Sequence, residues 1–151
     1  MEMAEVLGSS ELFHALNEEE FREMERMCRR HVFEAGTIIF RQDKEAEDIY
    51  IIENGLVSLL LELSPMDMRQ IQAVSNSECF GWSAMVPPYQ RSCTAKAVEK
   101  TRVFAFNGKD LRYLFFTNPR LCANIVSGVA YVLSQRLRAT YTQLMGVTYQ
   151  I

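Results

Sequence analysis

Apolar and polar residues follow two different periods along this chain, and the period changes twice. Between residues 17 and 31, Phe21, Met24, Met27 and Cys28 fall on one face at helical spacing, which predicts an amphipathic helix. Asn17 with Glu20 three residues later forms a capping-box pattern, and Leu16 and Phe21 are placed to staple it. Glu18, Glu19 and Glu20 suit the positive end of the helix dipole, and Arg29, Arg30 and His31 suit its negative end. A shorter helix is expected around residues 10–16.

From residue 32 the apolar runs shorten and turn residues separate them. Eight strands are predicted, at 32–33, 37–40, 49–52, 56–63, 68–74, 79–80, 94–98 and 102–106. Asn54-Gly55 and Asn107-Gly108 are the strongest turn pairs between them. Short strands at even spacing point to a sandwich or barrel, and about eight of them suit a jelly roll.

Helix returns after Gly108. A short helix is expected over 111–116. Asn118 as cap and Pro119 in the first helical position then open a long helix to about residue 144. Its apolar positions include Leu121, Cys122, Ile125, Val126, Val129, Val132, Leu133, Leu137 and Leu144. That stripe is wider than one shallow contact requires. One side is expected on the barrel and the other against a second copy of the chain; a wholly intramolecular helix is the alternative. The expected organisation is one domain, 1–151, with the barrel at about 32–107 and no further domain.

The 151 residues are 48% hydrophobic and 23% charged, which excludes disorder. No run of eighteen apolar residues occurs, so no membrane-spanning helix is expected. The acidic start lacks the order of a signal peptide, so a cytoplasmic location is expected. Charge is unevenly distributed: residues 1–50 carry 13 acids and 6 bases, whereas residues 91–138 carry 9 bases and 2 acids. The second half thus suits an anionic ligand or partner, or is simply a basic solvated surface.

Chemistry is limited by what is missing. Cys28, Cys79, Cys93 and Cys122 form no Cys-x-x-Cys pair, and His14 and His31 are the only histidines. No nucleophile elbow, Walker loop or dinucleotide fingerprint occurs. No catalytic residue and no metal site are expected, and the chain is read as a non-enzyme.

One segment departs from the strand pattern, Glu78 to Ala95. A strand ends at Phe80, Gly81 frees the backbone, and residues 82–85 allow one helical turn that offers unpaired N–H groups to an anion. Pro87-Pro88 stiffens the exit. Arg91 then stands among Ser92, Cys93, Thr94 and Ala95, poor company for a solvated cation. Its fork suits one phosphate.

Phe80-Gly81-Trp82-Ser83-Ala84 and Arg91-Ser92-Cys93-Thr94-Ala95 resemble the phosphate-binding cassette of the cyclic nucleotide-binding domain family, usually F-G-E-[LI]-[AS] followed by R-[ST]-A-x-[AV]. Gly36-Thr37-Ile38-Ile39-Phe40, the run from Asp48 to Gly55, and Asn118-Pro119 resemble the family's framework. The resemblance spans about residues 12–144. It implies a jelly-roll barrel with flanking helices, and a regulatory domain binding cyclic AMP, cyclic GMP or a similar phosphate-bearing ligand. The alternative is a degenerate module that keeps the fold and a dimer helix but binds no nucleotide, acting through a protein partner. Direct DNA binding is not expected.

An ungapped alignment to the family implies that Gly81, Trp82, Ser83, Ala84, Arg91 and Ser92 surround the phosphate, with Leu59 and Ile71 at the ribose or base. Two positions depart from the family pattern. The cassette glutamate that accepts from the ribose 2′-hydroxyl is Trp82, which either stacks on the ligand or plugs the pocket. The Thr-Ser pair by which activator-type members meet adenine falls on Arg136-Leu137. Arg136 is expected either to meet the base or to be a solvated helix residue.

Overall fold

The computed structural model describes residues 3–149; residues 1, 2, 150 and 151 of the expected domain lie outside it. Helix α1 (Met3–Gly8) and a 3-10 turn (Glu11–Phe13) precede α2 (Glu18–Met27). Eight strands follow: β1 (Arg29–Phe33), β2 (Ile38–Phe40), β3 (Asp48–Asn54), β4 (Val57–Ser64), β5 (Asp67–Val74), β6 (Cys79–Phe80), β7 (Thr94–Ala97) and β8 (Thr101–Asn107). A second 3-10 turn (Trp82–Met85) interrupts them before β7, and α3 (Gly108–Thr117) and α4 (Pro119–Tyr149) complete the chain.

The strands form two antiparallel four-stranded sheets, ordered β1-β8-β3-β6 and β2-β7-β4-β5. This is the expected jelly-roll barrel with flanking helices. The first sheet has apolar cores on both faces. Tyr50, Ile52, Val103 and Ala105 point into the barrel with Leu59 and Phe80, while Ile49, Ile51, Phe104 and Phe106 meet the helices with Met24, Leu121 and Ile125. That double burial explains why 49–52 and 103–106 read as unbroken apolar runs. The β4–β5 hairpin is different: its distal half is largely exposed.

The α2 capping box forms as expected, with Asn17 accepting from the Glu20 N–H at 2.8 Å and Glu20 accepting from the Asn17 N–H at 3.0 Å. Glu20 is buried, and its carboxylate also receives the Asn124 side chain at 2.8 and 3.0 Å, which ties α2 to α4. Two expectations need correction. The helix around residues 10–16 is a single 3-10 turn, and α1 was not foreseen. Helix α2 ends at Met27, because Arg29–Phe33 pairs in register with β8 from Arg29↔Ala105 to Phe33↔Thr101. Ladder bonds there outweigh the dipole pattern, and Arg29 meets Asp48 at 3.0 Å instead of capping a helix.

Asn118 caps α4 by accepting from the Leu121 N–H at 3.2 Å. The wide stripe of α4 divides in two. Leu121, Ile125, Val129 and Val132 are buried on the barrel side, whereas Val126, Leu137, Tyr141 and Leu144 are exposed. At Gly128 the backbone of the first 3-10 turn crosses so closely that a Cβ would overlap the Leu12 carbonyl.

Candidate functional site

The segment from Phe80 to Ala95 leaves the barrel as a loop held at both ends. Gly81 adopts φ +83°, ψ 23°, the left-handed region that glycine occupies at little cost, and this turns the chain into the Trp82–Met85 turn. The Pro87–Pro88 peptide is cis. At the far end the Arg91 backbone is pinned: its carbonyl accepts from the Asp43 N–H at 2.8 Å and its N–H donates to the Lys44 carbonyl at 2.8 Å. From α3, Arg112 donates to the Ala84 carbonyl at 2.6 Å and lies over the Tyr89 ring.

The Arg91 side chain runs beneath the turn. It is 3% exposed. One terminal nitrogen donates to the Gly81 carbonyl at 2.8 Å and the other to the Asp48 carbonyl at 2.7 Å. The guanidinium carbon sits 3.8 Å from the centre of the Phe40 ring, which supplies a cation–π contact. Arg91 Nε is buried without a hydrogen-bond partner. No carboxylate lies within ion-pair distance of Arg91 among the described residues. Burial holds its pKa below the ordinary arginine value, and Tyr50 and Asp48 act in the opposite sense. Burial, and secondarily Asp48, push Tyr50 up to about 12. A buried cation solvated by carbonyls and a ring carries a local positive charge that a neighbouring anion would neutralise.

Beside this cation lies a cavity of about 160 Å³. Its wall brings together Leu59 from β4, Ile71 from β5, Gly81, Trp82 and Ser83 from the turn, Ser92, and Arg136 from α4. These positions lie up to 77 residues apart (59 to 136), and seven of the nine sequence-derived candidates meet there. Ala84 and Arg91 lie outside the wall. Ala84 is fully buried, and Arg91 sits behind Gly81 and Phe40. Phe40, Gln72, Cys93 and Thr140 complete the wall and were missed by sequence reasoning. Thr140 had a legible signal, being one helical turn beyond Arg136; Gln72 became visible only when β5 paired with β4.

Arg136 is not a solvated helix residue. It donates to Gln72 Oε1 at 3.2 Å and to the Cys79 carbonyl, while Gln72 Nε2 donates to the Arg136 carbonyl at 3.3 Å. Two turns farther on, Gln143 donates to the Ile71 carbonyl at 3.2 Å. Helix α4 therefore closes over the cavity through polar bonds to β5 and β6. Burial pushes the Cys93 thiol up, against the pull of Arg91 and Arg136. Trp82 is half-buried and packs on the helix-side core while its other side faces the cavity. Among the described residues no cluster of metal-ligating side chains occurs, and no helix is long and apolar enough to cross a membrane.

Residues 30–118 match the family model described as the cyclic nucleotide-binding domain, more than half of the chain. A sequence described as a potassium channel protein of Rhodopseudomonas palustris is 30% identical over 114 residues, 76% of this chain and 27% of that protein. The cyclic AMP receptor protein of Thermus thermophilus is 28% identical over 138 residues, 91% of this chain and 62% of that protein. The chain thus spans less than two thirds of either relative. The crystal structure of the Thermus thermophilus catabolite activator protein superposes with a TM-score of 0.74 at 26% identity, covering 93% of this chain and 64% of that one. A cyclic nucleotide-binding domain from Methylobacillus flagellatus shares the fold, with a TM-score of 0.82 at 17% identity, covering 95% of this chain and 81% of that one.

Proposed function

The chain belongs to the cyclic nucleotide-binding domain family, and from that premise we propose that it is a non-enzymatic regulatory domain whose ligand is cyclic AMP, cyclic GMP or a similar phosphate-bearing molecule. The observation that carries this reading is Arg91: a buried cation without a carboxylate partner, beneath a left-handed turn beside a cavity with no acidic wall. The ligand phosphate would meet the Ser83 and Ser92 hydroxyls and the field of Arg91. Leu59 and Ile71 would pack on the ribose or base, and Trp82 would offer a flat face. Cavities that hold such ligands usually measure about 300–1,000 Å³, so the 160 Å³ space must widen on binding.

Arg136 provides the means of signalling. A ligand that reaches α4 would compete for the donors now spent on Gln72 and the Cys79 carbonyl, and so shift the helix between two seats. The exposed residues Val126, Leu137 and Leu144 would then change how α4 meets a second copy of the chain, giving a ligand-responsive homodimer.

Titration calorimetry with cyclic AMP and cyclic GMP tests the reading. Saturable heat with at least one is expected, weakened by Arg91→Ala. Silence with both at millimolar concentration would overturn it. The small cavity favours one second reading, a fold that has closed its pocket with Trp82 and serves as an interaction module. In that case the unaltered protein binds neither cyclic nucleotide, and a partner protein alone engages α4.

A further inference from the structure

The cavity wall lacks one kind of chemistry altogether: none of its lining residues carries a carboxylate. The acids on surrounding elements are engaged elsewhere. Glu62 is held by Arg41 at 3.2 Å and by the Thr94 hydroxyl at 2.9 Å, Asp48 by Arg29 at 3.0 Å, and Glu78 by the Ser75 N–H and hydroxyl. The residue directly after the left-handed Gly81, where the turn meets the cavity, is Trp82, whose indole N–H donates only. Of the neutral acceptors, Gln72 Oε1 already receives Arg136. The Ser83, Ser92 and Thr140 hydroxyls keep lone pairs, but each is an uncharged group that donates as readily as it accepts and is not stranded by a missing hydroxyl as a carboxylate would be.

Resting on the nucleotide reading above, we propose that this site recognises a phosphate-type anion attached to a flat ring and is indifferent to the sugar 2′-hydroxyl, so that it accepts 2′-deoxy cyclic nucleotides as readily as their ribose forms. A pocket built to hydrogen-bond a hydroxyl rejects the analogue lacking it, because a buried polar group is then stranded. This wall has no charged acceptor to strand. Discrimination lies in Arg136 on the wall, in the charge of Arg91 buried behind it, and in the apolar faces of Trp82, Leu59 and Ile71.

The test is a paired set of calorimetric titrations with cyclic AMP, 2′-deoxy cyclic AMP, cyclic GMP and 2′-deoxy cyclic GMP. Within each pair the dissociation constants are expected to agree to about threefold. Trp82→Glu places an acceptor at the turn and should raise the preference for the ribose form to about tenfold or more. Trp82→Phe, which brings no acceptor, should hold the ratio below about threefold whatever its absolute affinity. A ribose preference of about tenfold in the unaltered protein or in Trp82→Phe would overturn the proposal while leaving nucleotide binding intact. No heat with any of the four would overturn the nucleotide reading together with it.

Discussion

Arg91 donates to the Gly81 carbonyl across 2.8 Å, so the buried cation and the left-handed turn above it form one mechanical unit. An alanine Cβ at Gly81 would stand 3.0 Å from the Arg91 guanidinium and 3.1 Å from the Asp48 carbonyl, in a backbone conformation with φ +83° that side chains resist. Gly81→Ala is expected to lower stability by about 1–3 kcal/mol. It should also weaken ligand binding more than a distant substitution of equal destabilisation. Denaturant melts with parallel titrations check this, and an unchanged midpoint would contradict the unit.

Removing the cation itself has two effects. Arg91→Ala abolishes two bonds to carbonyls and the Phe40 contact, while relieving the burial of a charge. The net loss of stability is expected to be about 1–3 kcal/mol, with ligand affinity down at least about tenfold. Arg91→Lys keeps a charge but cannot span both carbonyls, so it should rescue affinity only in part. Full rescue by lysine would show that the fork geometry is irrelevant.

Two glycines of α4 should respond in opposite ways to alanine. At Gly146 nothing approaches within 4 Å, so alanine should stabilise by about 0.5–1 kcal/mol. At Gly128 the Leu12 carbonyl occupies the space a Cβ needs. Overpacking there is expected to exceed the helix-propensity gain and destabilise by about 2 kcal/mol or more. Thermal melts of the two variants decide it; a stabilised Gly128→Ala would mean that α4 and the first 3-10 turn separate easily.

The proposed dimer depends on the outer face of α4, where Leu137 is 51% exposed in the single chain. Sedimentation at micromolar concentration should show a species of twice 17.4 kDa. Leu137→Glu should return it to the monomer by placing an unpaired charge in the seam. A monomer at every concentration would remove the dimer.

Burial pushes Cys79 up to about 12 and Cys28 up to about 11, so both remain thiols at neutral pH in the folded state. The unfolded chain releases those protons near the ordinary value of 9.0. The folded state therefore holds more protons between about pH 9 and 12, and the stability this confers is full below pH 9 and lost as pH rises through that window. Alkylation of Cys79 at pH 8 should follow global unfolding. Rapid labelling of the native protein would contradict its burial.

Much of the architecture was legible because its signals are carried by residues close in sequence. The capping box at Asn17, the Asn118-Pro119 start and the eight apolar runs between turn residues each concern local backbone bonds. The turn at Gly81 was legible for the same reason, since a glycine between a strand and a short helical turn implies freedom at φ. Tertiary packing alone decided the rest. Residues 29–31 carry a helix-end charge pattern, yet their backbone groups gain a ladder with β8 some 70 residues away (31 to 103), and no local preference competes with a full row of bonds. Arg136 looked like a solvated helix arginine until α4 was laid across β5 and β6, where its donors find Gln72 and the Cys79 carbonyl. The division of the α4 stripe was likewise undetermined by periodicity, which reports that a face is apolar but not what covers it. Only the barrel's placement buries Val129 and leaves Val126 exposed.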